Sequence, residues 1–127
     1  MIINFEKQTD ALTDYERTTI LPIMARCLSN KIGKEMAITN NLMCEKMAEH
    51  GYCITPTRVR KIINYIRTND LVEGLMATST GYYVTQDITE LRTYIASLKG
   101  REDAIRAVRE SIEIQLERMV EKRPPIN

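Results

Sequence analysis

Between residues 54 and 72 the chain reads ITPTRVRKIINYIRTNDLV, and this stretch limits the possible folds more than any other. Thr55 is a natural N-cap, and Pro56 falls at the first helical position, where a missing N–H removes no hydrogen bond. Val59, Ile62, Ile63 and Ile66 follow at i, i+3, i+4 and i+7, which makes one narrow apolar stripe. Other elements must cover such a stripe, so the helix belongs to a packed body. Its opposite side carries Thr57, Lys61, Asn64 and Thr68, with Arg60 on one edge and Arg58 and Tyr65 on the other. This polar front is either a solvated face or a surface built to meet a polyanion.

A chain of 127 residues with 43% hydrophobic and 28% charged residues suits one soluble domain with an appendage. The formal net charge is +1, so any basic surface has to arise from local sorting. Such sorting is present over residues 55 to 70, where Arg58, Arg60, Lys61 and Arg67 are countered only by Asp70. Residues 87 to 127, by contrast, carry eight bases and eight acids. The opening MIINFEKQTDALT lacks the pattern of a leader segment, and no stretch is apolar enough to span a membrane. Three cysteines, an odd number, fit reduced thiols, so the expected location is the cytoplasm.

Organisation follows from caps and periods. Residues 1–11 read as a tail. Thr13 and Glu16 form a capping box for a helix in which Ile20, Ile23, Met24 and Cys27 recur at helical spacing, and Pro22 is expected to kink or divide it. Residues 31 to 37 read as a loop around Gly33. A second helix starts after Thr39 and stops at Gly51, with Met43, Cys44, Met47 and Ala48 on one arc and Leu42 on the polar side. Beyond Asn69 two β-prone runs, near 71 to 77 and 81 to 85, frame a small polar tip, which reads as a hairpin. Residues 87–123 return to helix, with a kink or break expected at Gly100, and 124–127 form a second tail.

Helix, helix, short turn, helix, hairpin is the order of a winged helix-turn-helix, which residues 12 to 85 resemble. In that resemblance ITNNLMCEKMAEHG is the supporting helix, YCIT the turn, PTRVRKIINYIR the recognition helix and LVEGLMATSTGYYV the wing. The strings VRKIINYIRTNDLV and ATSTGYYVT are also similar to small winged-helix proteins encoded by phages and mobile elements of gut bacteria. The expected fold is therefore mainly α with a small β-hairpin (α+β): a winged domain over 12–86 followed by a long C-terminal helix. The expected function is sequence-specific binding of double-stranded DNA, in a transcriptional regulator or replication accessory. Base-edge contacts fall to Thr57, Arg58, Lys61 and Asn64, and backbone contacts to Arg60 and Arg67. Thr78, Ser79 and Thr80 at the wing tip are expected to touch an adjacent phosphate or the minor groove, weakly, since no cation sits there. The alternative is a protein-interaction adaptor that uses Leu42, Tyr65 and the long helix.

Other chemistry finds less support. Cys27, Cys44, His50 and Cys53 match no familiar zinc spacing, and His50 reads as a helix cap. No phosphate loop, carboxylate pair or nucleophile motif is present, so neither an enzyme, a cofactor nor a small-molecule substrate is expected. In the C-terminal helix, Ile88, Leu91, Ile95, Leu98, Ile105, Ile112, Leu116 and Met119 keep a three-four spacing, interrupted by Glu102 and Arg109. The flanking charges suit i,i+4 pairs such as Glu102 with Arg106. The stripe from Leu91 to Met119 is expected to make a homodimer and so to present two recognition helices to half-sites about 34 Å apart.

Overall fold

The computed structural model describes residues 11–123, so the tails expected at 1–11 and 124–127 lie outside the described residues, Ala11 apart. Among the described residues the fold is mainly helical with a small two-stranded antiparallel sheet. A π-helical turn, Glu16–Ile20, runs into α1, Leu21–Ser29. Helix α2 spans Asn40–Glu49 and α3 spans Pro56–Thr68; strands β1 (Leu75–Thr78) and β2 (Gly81–Val84) precede α4, Ile88–Lys122. Two compact units result, with the break between Ile88 and Thr89.

The first helix begins with a reciprocal cap. The Thr13 N–H donates to Glu16 Oε1 at 2.9 Å, and the Glu16 N–H donates to Thr13 Oγ1 at 3.1 Å. Pro22 then falls in the first turn of α1, directly after the π turn. The wider turn changes the hydrogen-bond register just where proline has no N–H to offer, so the helix is divided without an interior break. The buried arc is Ile20, Leu21, Met24 and Leu28, whereas Ile23 and Cys27 are only half-buried. The apolar face is thus turned slightly from the one that the sequence spacing suggested.

Thr39 caps α2 by accepting the Leu42 N–H at 3.1 Å, and Gly51 ends it with φ +84°. The Gly51 N–H reaches the Ala48 carbonyl and the Tyr52 N–H reaches that of Met47, a Schellman closure in which the left-handed residue favours glycine. His50 takes the C-cap position. Met43 and Met47 are buried and Cys44 half-buried, but Ala48 is exposed, so the arc is narrower than expected. Leu42 is exposed, as its place on the polar side of the wheel requires.

Helix α3 has its cap at Thr55, whose Oγ1 accepts from the Arg58 N–H at 3.3 Å, and Val59, Ile62, Ile63 and Ile66 are all essentially inaccessible. They meet Ile20, Met24 and Leu28 of the first helix, Met43 and Met47 of α2, and Val72, Leu75 and Val84 of the hairpin region in one core. The stripe is what fixes α3 to the body: burying four branched side chains is worth on the order of 6–12 kcal/mol before entropy is counted.

In the hairpin Leu75 pairs with Val84 and Thr78 with Gly81, leaving Ser79 and Thr80 as a two-residue connection. The first strand begins at Leu75, later than residue 71, because residues 69–74 are a turn with positive φ at Asp70 and Gly74. The segment expected to be a simple loop has more structure. Ile32 bridges Val84, Ile38 bridges Tyr82 with two hydrogen bonds of 2.8 and 2.9 Å, and Lys34–Met36 forms a 3-10 turn between them. Single-residue bridges have no alternation to read, which is why the sequence left this segment featureless.

The C-terminal helix differs most from expectation. It is one continuous helix of 35 residues, about 52 Å long, with Gly100 inside it. Glycine costs roughly 1 kcal/mol at such a position, too little to break a helix supported on both sides. Lys99 bonds Asp103 at 2.7 Å and Arg109 bonds Glu113. The expected Glu102 pairing is not the one formed, because Arg106 lies 3.9 Å from Asp103 instead.

Candidate nucleic-acid interface

With its four aliphatic residues buried, α3 has a defined outer face. The sequence PTRVRKIINYIRT contains no carboxylate, so every charge on the helix is positive. Arg60 and Asn64 are exposed, while Thr57, Lys61 and Arg67 are half-buried. At the helix end Thr68 is folded back, its hydroxyl donating to the Asn64 carbonyl at 2.9 Å, and Asn69 Nδ2 donates to the Tyr65 carbonyl at 2.9 Å. Tyr65, which the adaptor reading uses, is half-buried and packs against the core.

Arg58 is placed elsewhere. Its Nε donates to Glu16 Oε2 at 2.8 Å and its Nη2 to Glu16 Oε1 at 2.6 Å, a bidentate pair, while Nη2 also reaches the Ala11 carbonyl at 3.0 Å. Both side chains are nearly inaccessible, 14% and 9%. Glu16 is the buried charged residue of the core among the described residues. The hydrogen bond from Arg58 holds its carboxyl below the usual glutamate range, helped by the Thr13 N–H, although burial works in the opposite direction. Arg58 therefore leaves the set of outward residues: its guanidinium ties α3 to the start of the first helix. Nothing local could have revealed this, because the partner stands 42 positions away and already had a role in the capping box.

Beside this pair lies a shallow cleft of about 310 Å³, lined by Thr13, Tyr15, Cys53, Ile54 and the pair itself. The hairpin tip is self-contained. The Thr78 and Thr80 hydroxyls lie 2.9 Å apart, and Thr78 Oγ1 also bonds the Gly81 carbonyl at 3.1 Å. Ser79, between them, is exposed. Tyr82 on β2 donates its hydroxyl to Asn40 Oδ1 at 2.8 Å, which joins the hairpin to the start of α2.

Cys27 and Cys44 are half-buried and Cys53 is exposed, and among the described residues no group of three His, Cys, Asp or Glu is arranged to hold a metal. Burial raises the Cys44 thiol above its ordinary value. Among the described residues no helix is long and apolar enough to cross a membrane. No protein-family model, curated protein or solved structure matches this chain.

Proposed function

We propose that the chain is a winged-helix protein that binds double-stranded DNA as a homodimer, with α3 as the helix that enters the major groove. The observation that carries this reading is the division of α3: an aliphatic back sealed in the core, and a front that holds Arg60, Lys61, Arg67 and the amide of Asn64, with no carboxylate on the helix. A groove-reading helix needs that combination, since carboxylates would repel phosphates and a loose back would not hold the side chains in register. Lys61, Asn64 and Thr57 face the bases in this reading, and Arg60 and Arg67 the phosphates. Arg58 serves as the strut behind them. The two-residue tip at Ser79 and Thr80 adds little, having neither length nor charge. The role as transcriptional regulator or replication accessory of a phage or mobile element rests on the sequence resemblance alone.

The test begins with a site selected from random oligonucleotides at stated salt. The Arg60→Ala/Lys61→Ala variant is then expected to bind that site more weakly and to lower the salt slope by about one, for the phosphate that Arg60 no longer neutralises. Binding and slope equal to those of the parent chain would dismiss α3 as the DNA-contacting element. Leu42, 39% exposed, is the residue that favours an adaptor. Should Leu42→Asp abolish capture of a protein partner while no oligonucleotide is ever enriched, the adaptor reading replaces the DNA one.

A further inference from the structure

No residue of α4 is buried, although Ile95, Ile105, Ile112 and Leu116 are each more than half exposed along one line of its surface. The steps along that line alternate between three and four residues over the whole helix, a mean period of 3.5. Such a seam is too narrow for a broad core face and fits one partner helix. Two of its positions are charged, Glu102 and Arg109, and these decide which way a partner can run.

In a parallel pair every seam residue meets its own copy. Glu102 would face the partner's Glu102, and Arg109 the partner's Arg109, each a like-charge contact in a desolvated seam. In an antiparallel pair the two classes of seam position oppose each other instead. The register that uses the whole helix sets Leu91 against the partner's Leu116, Glu102 against the partner's Ile105, and Arg109 against the partner's Leu98. Glu102 and the partner's Arg109 are then offset by four residues, about 6 Å along the axis, within reach of two long side chains. Twofold symmetry makes that contact twice. On the flank, Arg92 comes nearly level with the partner's Glu113. Lys99 comes near the partner's Arg106, and Asp103, which holds Lys99 at 2.7 Å and Arg106 at 3.9 Å, supplies the counter-charge there.

We infer that α4 pairs with the α4 of a second copy of this chain in the antiparallel direction, with Glu102 and Arg109 exchanged between the two helices. The inference rests on the homodimer proposed above and adds the direction and register of the pairing. Light scattering on the full chain tests the dimer itself: a monomer at tens of micromolar would remove both, and leave DNA contact by α3 to its own titration.

Direction is read by cross-linking in a Cys27→Ala/Cys44→Ala/Cys53→Ser background. After oxidation of a mixture of Leu91→Cys and Leu116→Cys chains, the expected product is the mixed 91–116 disulfide dimer, with neither variant cross-linking alone. A dimer formed by Leu91→Cys alone would overturn the inference. If that background does not fold, charge variants with the native cysteines answer the same question. Glu102→Arg is expected to weaken dimerisation at least tenfold, and Glu102→Arg/Arg109→Glu to restore it. An unchanged dissociation constant for Glu102→Arg, the outcome of parallel pairing, would sink the proposal.

Discussion

At the scale of single residues, the pair of Arg58 and Glu16 separates holding the domain together from touching a ligand. Removing the guanidinium leaves a nearly inaccessible carboxylate without its bidentate donor, a change that typically costs about 3 kcal/mol. Arg58→Ala is therefore expected to lower the urea midpoint sharply, whereas Arg60→Ala, at an exposed position, should leave the midpoint nearly unchanged, its unfolding free energy within about 0.5 kcal/mol of the parent. Equal midpoints for the two variants would show that the pair does not anchor α3. Acid provides a second measure. The carboxyl of Glu16 ionises more readily folded than unfolded, so its contribution is fully present above the ordinary glutamate value, about 4.3, and is lost as pH falls through the lower folded value. Denaturation of the parent and of Glu16→Gln at pH 7 and pH 3 should show a stability gap that narrows in acid. A gap of constant size would mean that the charge of Glu16 contributes nothing.

At the scale of elements, caps and periods carried most of the information. Thr13 with Glu16, Thr39, and Thr55 with Pro56 each begin a helix where a side-chain oxygen meets orphan N–H groups, and Gly51 ends one. These signals are local in sequence because the bonds they describe are local in space. The strip joining α1 to α2 carries no such signal, since Ile32 and Ile38 gain their partners on β2 some fifty residues later by tertiary approach. Gly81 marks that approach. Its φ is +123°, and a Cβ built on it would lie 2.6 Å from the Ile38 carbonyl oxygen. Gly81→Ala is accordingly expected to cost about 2 kcal/mol or more, through backbone strain and the forced displacement of the Ile38 backbone. Thermal denaturation reads this directly, and an unchanged midpoint would show that the bridge yields freely.

At the scale of the whole molecule, the core and the seam are different kinds of apolar surface. The core draws Ile, Val, Leu and Met from α1, α2, α3 and the hairpin, elements linked through one cluster. The helix after Ile88 contributes no buried residue and keeps an uninterrupted helical course through Gly100. Under antiparallel pairing the two Ile88 ends stand about 46 Å apart, against roughly 10 Å in a parallel pair. The separation of the two Ile88 ends therefore reports on helix direction.

The sequence by itself determined where each helix begins, which side of α3 is apolar, that a hairpin follows it, and that the last helix carries a seam. Those properties depend on residues within a few positions of one another, through capping bonds and the 3.6-residue period. Only the tertiary structure decided that Arg58 turns inward to Glu16 and that β2 gathers Ile32 and Ile38 on its edge away from β1. Both outcomes depend on which distant groups the buried stripe of α3 draws together, and a guanidinium near the boundary between core and surface goes wherever the stronger counter-charge is already held in place.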